Sequence, residues 1–509
     1  MFWTLVIAVV LLVTYWLLSR PYKYWTERGV KQGKPVFIFG DYWGPMLRKQ
    51  TNADVVDMLY NTIDKTARYC GIYQFLTPVL LIRDPELIKK ITVKDFEHFV
   101  DHRIVIPEES DPLSGQKWRD MRSTLSPVFT SSKLKYMFSL ISERGEQFAK
   151  HLLKENKDVI TLDIKNSMTR YTNDVMASTM FGIKCDSLTE PKNEFYSLAQ
   201  KSQDFSGFWK NVKLFGYFLL PELCKLLEVS FYSKEVNGFF EKLVKENIGS
   251  RQKHGIVRPD LMHLLMEAKN HAKKSNGYQD SDKMKNATEI TDQDIATQAL
   301  IFFFGGFDTV ASLMSFMSYE LATNPDCQEK LRQEVDETLQ NCNGKLTYEA
   351  IVNMKYMDMV TSETLRKWPN APAVDRVCTK PYTIEPTRPD EKPIHLKEND
   401  TVLLPIYALH RDPQYFPDPH RFDPERFSEE NKANIVPYTY MPFGSGPRNC
   451  IGQRFALIET KIFFFYILAN FELIPVERTQ IPLKLTKNPF TMTAEKGFWL
   501  GFKKRVKQN

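Results

Sequence analysis

The stretch Phe443-Gly444-Ser445-Gly446-Pro447-Arg448-Asn449-Cys450-Ile451-Gly452 constrains this chain more than any other. It places one cysteine just ahead of an apolar, helix-period segment running from Ile451 to about Ala469. Orphan amides at the start of such a helix, and the positive end of its dipole, would face the sulfur. That position predicts a thiol drawn toward thiolate. Gly444, Gly446 and Gly452 allow a sharp turn and a close backbone approach to a flat ligand. Pro447 stiffens the loop, and Arg448 stands ready for an anionic group. A lone cysteine is ordinarily inert core; here the number of residues at fixed spacing argues for function.

Length and composition set broad bounds. The 509 residues would divide into about three domains by length alone, yet no linker marks such a division and no repeat is visible. A 43% hydrophobic content supplies a large core, and a net charge of +6 gives no case for nucleic acid. Seven scattered cysteines, an odd number, fit reduced thiols on the cytosolic side and not a secreted disulfide framework.

Residues Phe2 to Ser19 are uncharged and apolar, long enough to cross a bilayer. Trp3, Tyr15 and Trp16 sit near its ends, where aromatics favour the interface. Arg20, Lys23, Arg28, Lys31 and Lys34 follow, which places them in the cytosol and the N-terminus in the lumen. A cleaved signal peptide would need a basic leader and a small-residue cleavage site, and neither is present. The chain thus divides into an anchor (1–19), a basic linker (20–34) and one large domain (35–509).

Within that domain, Ile72 to Ile82 reads as sheet. Segments near Lys133–Lys154, Met168–Met180 and Phe231–Arg251 have helical apolar spacing. Phe205, Phe208, Trp209, Phe215, Tyr217 and Phe218 form an aromatic patch of core or membrane-facing character. Lys269 to Glu289 reads as a solvated loop. Trp118 and Arg122, spaced i,i+4, share a helix face and could address one carboxylate; a surface arginine beside a core tryptophan is the bland alternative. A long helix is expected from Thr291 to about Ala322, opened by Thr291 with Asp294. Inside it, Gly305 and Gly306 each cost about 1 kcal/mol relative to alanine, so something needs room against the backbone. Gly305 and Thr309 share a face, with Phe302 on it by period. Thr309 could simply bond back to a helix carbonyl, and Asp308 could form a buried ion pair. Glu363 and Arg366 form an i,i+3 pair in a helix from Tyr356 to Trp368. Val402–Leu409 suggests a small sheet, and Leu483–Phe502 alternates like a hairpin.

The pattern Phe443-x-x-Gly446-x-Arg448-x-Cys450-x-Gly452 resembles the haem-ligand loop of cytochromes P450. No Cys-x-x-Cys-His is present, so covalent haem attachment is not indicated. The resemblance covers essentially the whole chain after the linker, and is closest to insect microsomal P450s of the xenobiotic-metabolising group, the insect ninth P450 family. It implies a mainly α fold, the cytochrome P450 fold with a minor β-sheet region, preceded by a transmembrane helix. It implies haem b, with Cys450 as the iron ligand and Phe443, Trp118, Arg122, Arg376, Arg448 and Gly305 around the cofactor. Asp308 and Thr309 would form a relay that orders water and delivers protons. Phe302, Phe304, Ala373, Val374 and Phe490 would border the substrate, and the aromatic patch would line its entrance. Periodicity alone favours Phe302, whereas in relatives Phe304 commonly points to substrate. Glu363, Arg366 and Arg426 would form a structural network. The stretch between Pro107–Pro112 and Trp118 is shorter than in related insect enzymes, which would alter the substrate roof or impair folding.

The implied reaction inserts one oxygen atom of O₂ into an apolar small molecule. Gly-x-Gly-x-x-Gly and any flavin-type module are absent, so NADPH-derived electrons would come from a membrane-bound NADPH–cytochrome P450 reductase, with cytochrome b5 as a further donor. The implied location is the endoplasmic reticulum membrane, with the catalytic domain cytosolic. Alternative readings are a biosynthetic hydroxylase of a hormone or fatty acid, a haem-thiolate isomerase or dehydratase, and an inactive haem-binding paralogue.

Overall fold

The computed structural model describes residues 2–62, 66–103, 115–203, 216, 224, 226–227, 233–276, 291–389, 391–487 and 492–506. Phe490, the aromatic patch and Pro107–Pro112 lie outside them. The helix Phe2–Ser19 buries none of its residues. A helix of eighteen mostly apolar residues cannot stay exposed to water without a partner, so it is a candidate membrane span by length and composition. A 3₁₀ turn, Arg20–Lys23, and a short helix, Tyr24–Glu27, lead from it into the main body. Trp25 is the first core residue, its indole N–H donating to the Ile72 carbonyl at 3.2 Å.

Among the described residues, nine strands form three small sheets: β1 (Tyr69–Gln74), β2 (Thr77–Ile82), β3 (Val159–Asp163), β4 (Val374–Val377), β5 (Tyr382–Ile384), β6 (Ile394–Leu396), β7 (Thr401–Leu404), β8 (Phe471–Pro475) and β9 (Trp499–Lys504). The Ile72–Ile82 sheet segment is the antiparallel hairpin β1–β2, and the four-stranded sheet runs β1-β2-β7-β4. β7 lies parallel to β2 and is buried along its whole length, as a continuous apolar run in a covered sheet should be. The pairing Arg376↔Val402 fixes Arg376 on β4. After β7 the chain turns into a helix, Ile406–Leu409, so the expected sheet ends earlier than its apolar run. Before β9, Leu485 bridges Ala494 in antiparallel fashion.

Helices make up the rest. Asp292–Thr323 runs through the core, opened by a complete capping box between Thr291 and Asp294. It packs on Ile164–Met176, where Thr172 Oγ1 donates to the Phe307 carbonyl at 2.8 Å. The helix Leu261–Asn276 extends into the segment expected as a loop from Lys269. Buried Leu261, Leu264 and Leu265 give its first turns a core stripe of helical period.

The helix Lys355–Lys367 carries Glu363 and Arg366, both fully buried. They pair in bidentate fashion at 2.7 Å and 2.7 Å. Arg426 Nε lies 3.7 Å from the same carboxylate, and the Asp423 N–H donates to it at 2.9 Å. Arg366 also donates to the His410 and Pro419 carbonyls. His410 Nδ1 stands 3.2 Å from the Arg366 carbonyl, while Nε2 accepts the Met441 N–H at 2.9 Å. Burial, with the Arg366 charge beside it, drives the His410 pKa down to about 3, so the ring is neutral and donates through Nδ1. Replacing Glu363 with alanine strands the Arg366 charge. Denaturant unfolding of the solubilised chain should show a loss of about 3–5 kcal/mol; a loss below about 1 kcal/mol would remove the network from the fold's supports.

Candidate active site

The Cys450 loop begins at Met441, whose N–H is the one held by His410. Its carbonyl accepts the Gly444 N–H at 3.0 Å, and the Phe443 carbonyl accepts the Cys450 N–H at 2.9 Å. Gly444 and Gly446 have φ of +74° and +73°, the left-handed region glycine enters freely. At Gly446 a side-chain carbon would also overlap the Thr92 carbonyl oxygen. The loop ends in a 3₁₀ turn, Gly446–Arg448, before the helix Gln453–Leu468. Cys450 remains solvent-accessible, whereas most residues of that following helix are buried.

Electrostatics around the sulfur differ from expectation. Although the residue is exposed on one side, the protein atoms packed around the sulfur strip water from it and raise the thiol pKa; the Gly452 and Gln453 N–H groups and the Arg122 guanidinium lower it by less, so the net shift is upward. The helix start therefore does not make the thiolate alone; a cation at the sulfur has to complete the work.

Two elements pack on the loop from outside. In the helix Gly115–Leu125, Arg122 donates to Asn449 Oδ1 at 2.7 Å. Trp118 lies under the Arg448 guanidinium at 3.7 Å from its ring centroid. Trp118 and Arg122 thus share a face, and that face meets the loop. Arg448 is further tied to the Val100 carbonyl at 2.7 Å and to Asp101 at 3.0 Å. Phe443 is half-buried, and its carbonyl holds Cys450.

Arg376 is in a different condition. It is buried, and its contacts are the Asp375 carbonyl at 2.7 Å and a long one to the Ser445 carbonyl at 3.5 Å. Its Nε has no partner among the described residues. The adjacent Asp375 carboxylate is engaged by His102 at 3.0 Å and by the Arg103 N–H at 2.6 Å. Burial lowers the Arg376 pKa to about 10. A buried guanidinium so poorly matched calls for an anion. A porphyrin bearing propionates, with iron to bind a thiolate, meets both needs.

On the long helix, Gly305 and Thr309 are exposed although the helix is a core element. Beyond the helix's own backbone and the neighbouring residues, no heavy atom lies within 4 Å of where a Gly305 side-chain carbon would be, so open space adjoins this face. At Gly306 the same carbon would meet Met176 Cε at 2.5 Å, so the second glycine serves helix packing. Thr309 Oγ1 donates to the Gly305 carbonyl at 2.5 Å, and Asn370 Nδ2 donates to the Thr309 carbonyl at 3.1 Å. Asp308 points elsewhere. Its carboxylate pairs with Lys165 at 2.7 Å, and Lys165 also reaches Ser312 Oγ at 2.7 Å. Adjacency in sequence turns the two side chains about 100° apart around a helix, so acid and alcohol do not converge. Phe302 is half-buried on the Phe129 ring at 5.2 Å. Phe304 is buried among Phe240 and Phe303. Ala373 and Val374 are partly exposed.

Lys165, Asn370, Asp101 and Asn449 were not singled out from sequence. Asn449 stood inside the loop pattern and could have been; the others are long-range partners with no spacing signal.

Comparison with known proteins identifies the family. The family model described as Cytochrome P450 matches residues 35–500. Cytochrome P450 9e2 of Blattella germanica is 46% identical over 99% of this chain and 98% of its own length. Probable cytochrome P450 9f2 of Drosophila melanogaster is 41% identical, with 94% of each chain covered. Cytochrome P450 6k1 of Blattella germanica is 36% identical over 99% of this chain and 97% of its own length. A cysteine raised at a helix start, a buried arginine short of an anion, and this full-length similarity place the chain in one family: it is a cytochrome P450, a haem b monooxygenase related to insect members of families 9 and 6.

Proposed function

We propose that this P450 oxidises apolar small molecules of the xenobiotic kind, plant toxins and insecticides among them, at the cytosolic face of the endoplasmic reticulum. The observation that carries the site is the accessible Cys450 together with the unmatched Arg376 beside its loop. Phe302, Ala373 and Val374 add an apolar border that would exclude water and hold a greasy substrate. Resemblance to the xenobiotic-metabolising insect group supports the substrate class. The exposed helix Phe2–Ser19 and the basic residues after it support a single-pass anchor.

Haem, when bound, supplies reductive activation of O₂: one atom enters a substrate C–H bond, the other leaves as water, and NADPH provides two electrons through the reductase, with cytochrome b5 as a further donor. The protein's own residues do the rest. Cys450 donates a thiolate, held in aim by its N–H bond to Phe443. Arg376, its Nε without a partner among the described residues, would hold a propionate, and Trp118, Arg122 and Arg448 would brace the loop beside it. Gly305 leaves open space on the face of the long helix that it shares with Thr309. Thr309 donates its proton to the Gly305 carbonyl, so its oxygen lone pairs are left to accept from a water and hold it in place. Asp308 borders a separate cavity of about 670 Å³ lined also by Lys165, Asn166, Thr169 and Tyr196. Protons would enter on that side, and Thr309 would deliver them on the other. Glu363, Arg366 and Arg426 keep the loop's support rigid.

Turnover of an apolar xenobiotic panel by the full chain with reductase and NADPH tests the substrate class; product confined to a single hormone or fatty acid would replace it with the biosynthetic reading. In Thr309→Ala, NADPH use should continue while product per NADPH falls on the order of tenfold and peroxide rises; tightly coupled turnover would remove Thr309 from the relay. Arg376→Ala should release haem to an acceptor protein about 10–100-fold faster, the equivalent of one charge-assisted hydrogen bond of ~1.5–3 kcal/mol. An unchanged release rate would mean that Arg376 does not hold the propionate.

A further inference from the structure

Between the helix Lys355–Lys367 and β4, the chain runs along one side of the long helix Asp292–Thr323. Lys367 pairs with Glu320 at 3.0 Å, and the Trp368 indole N–H donates to the same carboxylate at 2.7 Å. The Trp368 ring stacks on Phe316 with centroids 4.7 Å apart. Asn370 Nδ2 then donates to the Thr309 carbonyl at 3.1 Å. Thr309, Phe316 and Glu320 follow one another at seven and four residues, a spacing that returns to one side of a helix. The seam therefore closes at the residue whose hydroxyl donates to Gly305.

The Asn370 contact differs in kind from the others. Lys367 and Trp368 satisfy a buried carboxylate, which the fold needs. The Thr309 carbonyl lies inside a continuous helix, where the amide four residues on already serves it. Its second lone pair permits a second donor and does not require one. Asn370 also carries a penalty. A carbonyl only accepts, so the carboxamide must turn its N–H to Thr309, and Oδ1 is left buried with no partner among the described residues. A leucine of similar shape would remove that unmet acceptor. A side chain that lowers stability while serving an already satisfied carbonyl contributes position.

Both ends of the contact show what is positioned. On the helix side, Gly305 and Gly306 precede Thr309, and glycines leave a helix less firmly set. A donor from outside the helix holds the backbone just past them. On the other side, the segment continues through Ala373 and Val374 to Arg376 on β4. The Pro372 carbonyl accepts the Tyr407 N–H at 2.8 Å, which fixes the segment to the body of the protein. Asn370 thus joins the proposed substrate border to the helix turn that carries Thr309.

We propose that Asn370 is a positioning residue for oxygen activation: its carboxamide holds the Thr309 carbonyl and so sets where the Thr309 oxygen meets the water it keeps. The inference rests on the reading of Thr309 as the alcohol that delivers protons. The haem-loaded full chain, with reductase and NADPH, is assayed for product per NADPH with 7-ethoxycoumarin as probe substrate. Peroxide per NADPH is read with and without the probe, and decides alone where the probe is not oxidised. Asn370→Leu should lower product per NADPH about threefold and raise peroxide. Its haem absorbance should be unchanged and its unfolding midpoint no lower than that of the unaltered chain, a combination that a merely structural role would not give. In a Thr309→Ala background, Asn370→Leu should cause no further loss. Asn370→Ala, which removes the amide without filling its place, should uncouple in the same way and serves if the leucine variant fails to fold. Unchanged coupling in the Asn370 variants overturns the proposal, and so does an equal further loss in the Thr309→Ala background, where Asn370 would be acting without Thr309. Tightly coupled turnover in Thr309→Ala alone would be a failure of the relay reading, and the proposal would fall with it.

Discussion

The Gly446 backbone lies against the Thr92 carbonyl with no space for a side chain, and the aim of Cys450 depends on that contact. Two left-handed glycines turn the chain, and the Phe443 carbonyl catches the Cys450 N–H. The helix Gln453–Leu468 then begins. The sulfur sits where a cation is favoured, yet burial keeps its thiol pKa raised. Pre-organisation here means a sulfur held in position, with the charge to be stabilised by the metal that arrives.

Behind the loop stands a chain of buried polar groups. The Glu363–Arg366 pair is bidentate, Arg366 holds the His410 carbonyl, and neutral His410 holds Met441 at the loop's base. A buried ion pair adds little net stability over apolar packing, but losing one partner is expensive. The network therefore enforces one geometry. It transmits that geometry to the loop through hydrogen bonds, which tolerate less displacement than apolar contacts do.

Much of this was legible in the sequence because it is local. The loop pattern, the exposed apolar helix Phe2–Ser19, the capping box at Thr291 and the i,i+3 pair at Glu363 each lie within one turn or one helix. Long-range partners were not legible. Nothing near Asp308 in sequence announces Lys165, which lies on another helix, and nothing announces that Arg448 would stack on Trp118. The net upward shift at Cys450 was missed for a related reason: dipole and amide effects follow from sequence position, while burial depends on everything packed around the site. The helix continuing to Asn276 was hidden by a polar composition that reads as loop, although the leucines ahead of it carried the period.

The central claim is that Cys450, alone among seven cysteines, binds the haem iron. X-ray absorption at the iron edge of the haem-loaded full chain tests it most directly, with Cys450→Ser alongside. One sulfur neighbour in the unaltered protein, absent from the variant, is the result this account requires. A sulfur shell that persists in Cys450→Ser, or an unaltered protein with nitrogen and oxygen neighbours only, would contradict it.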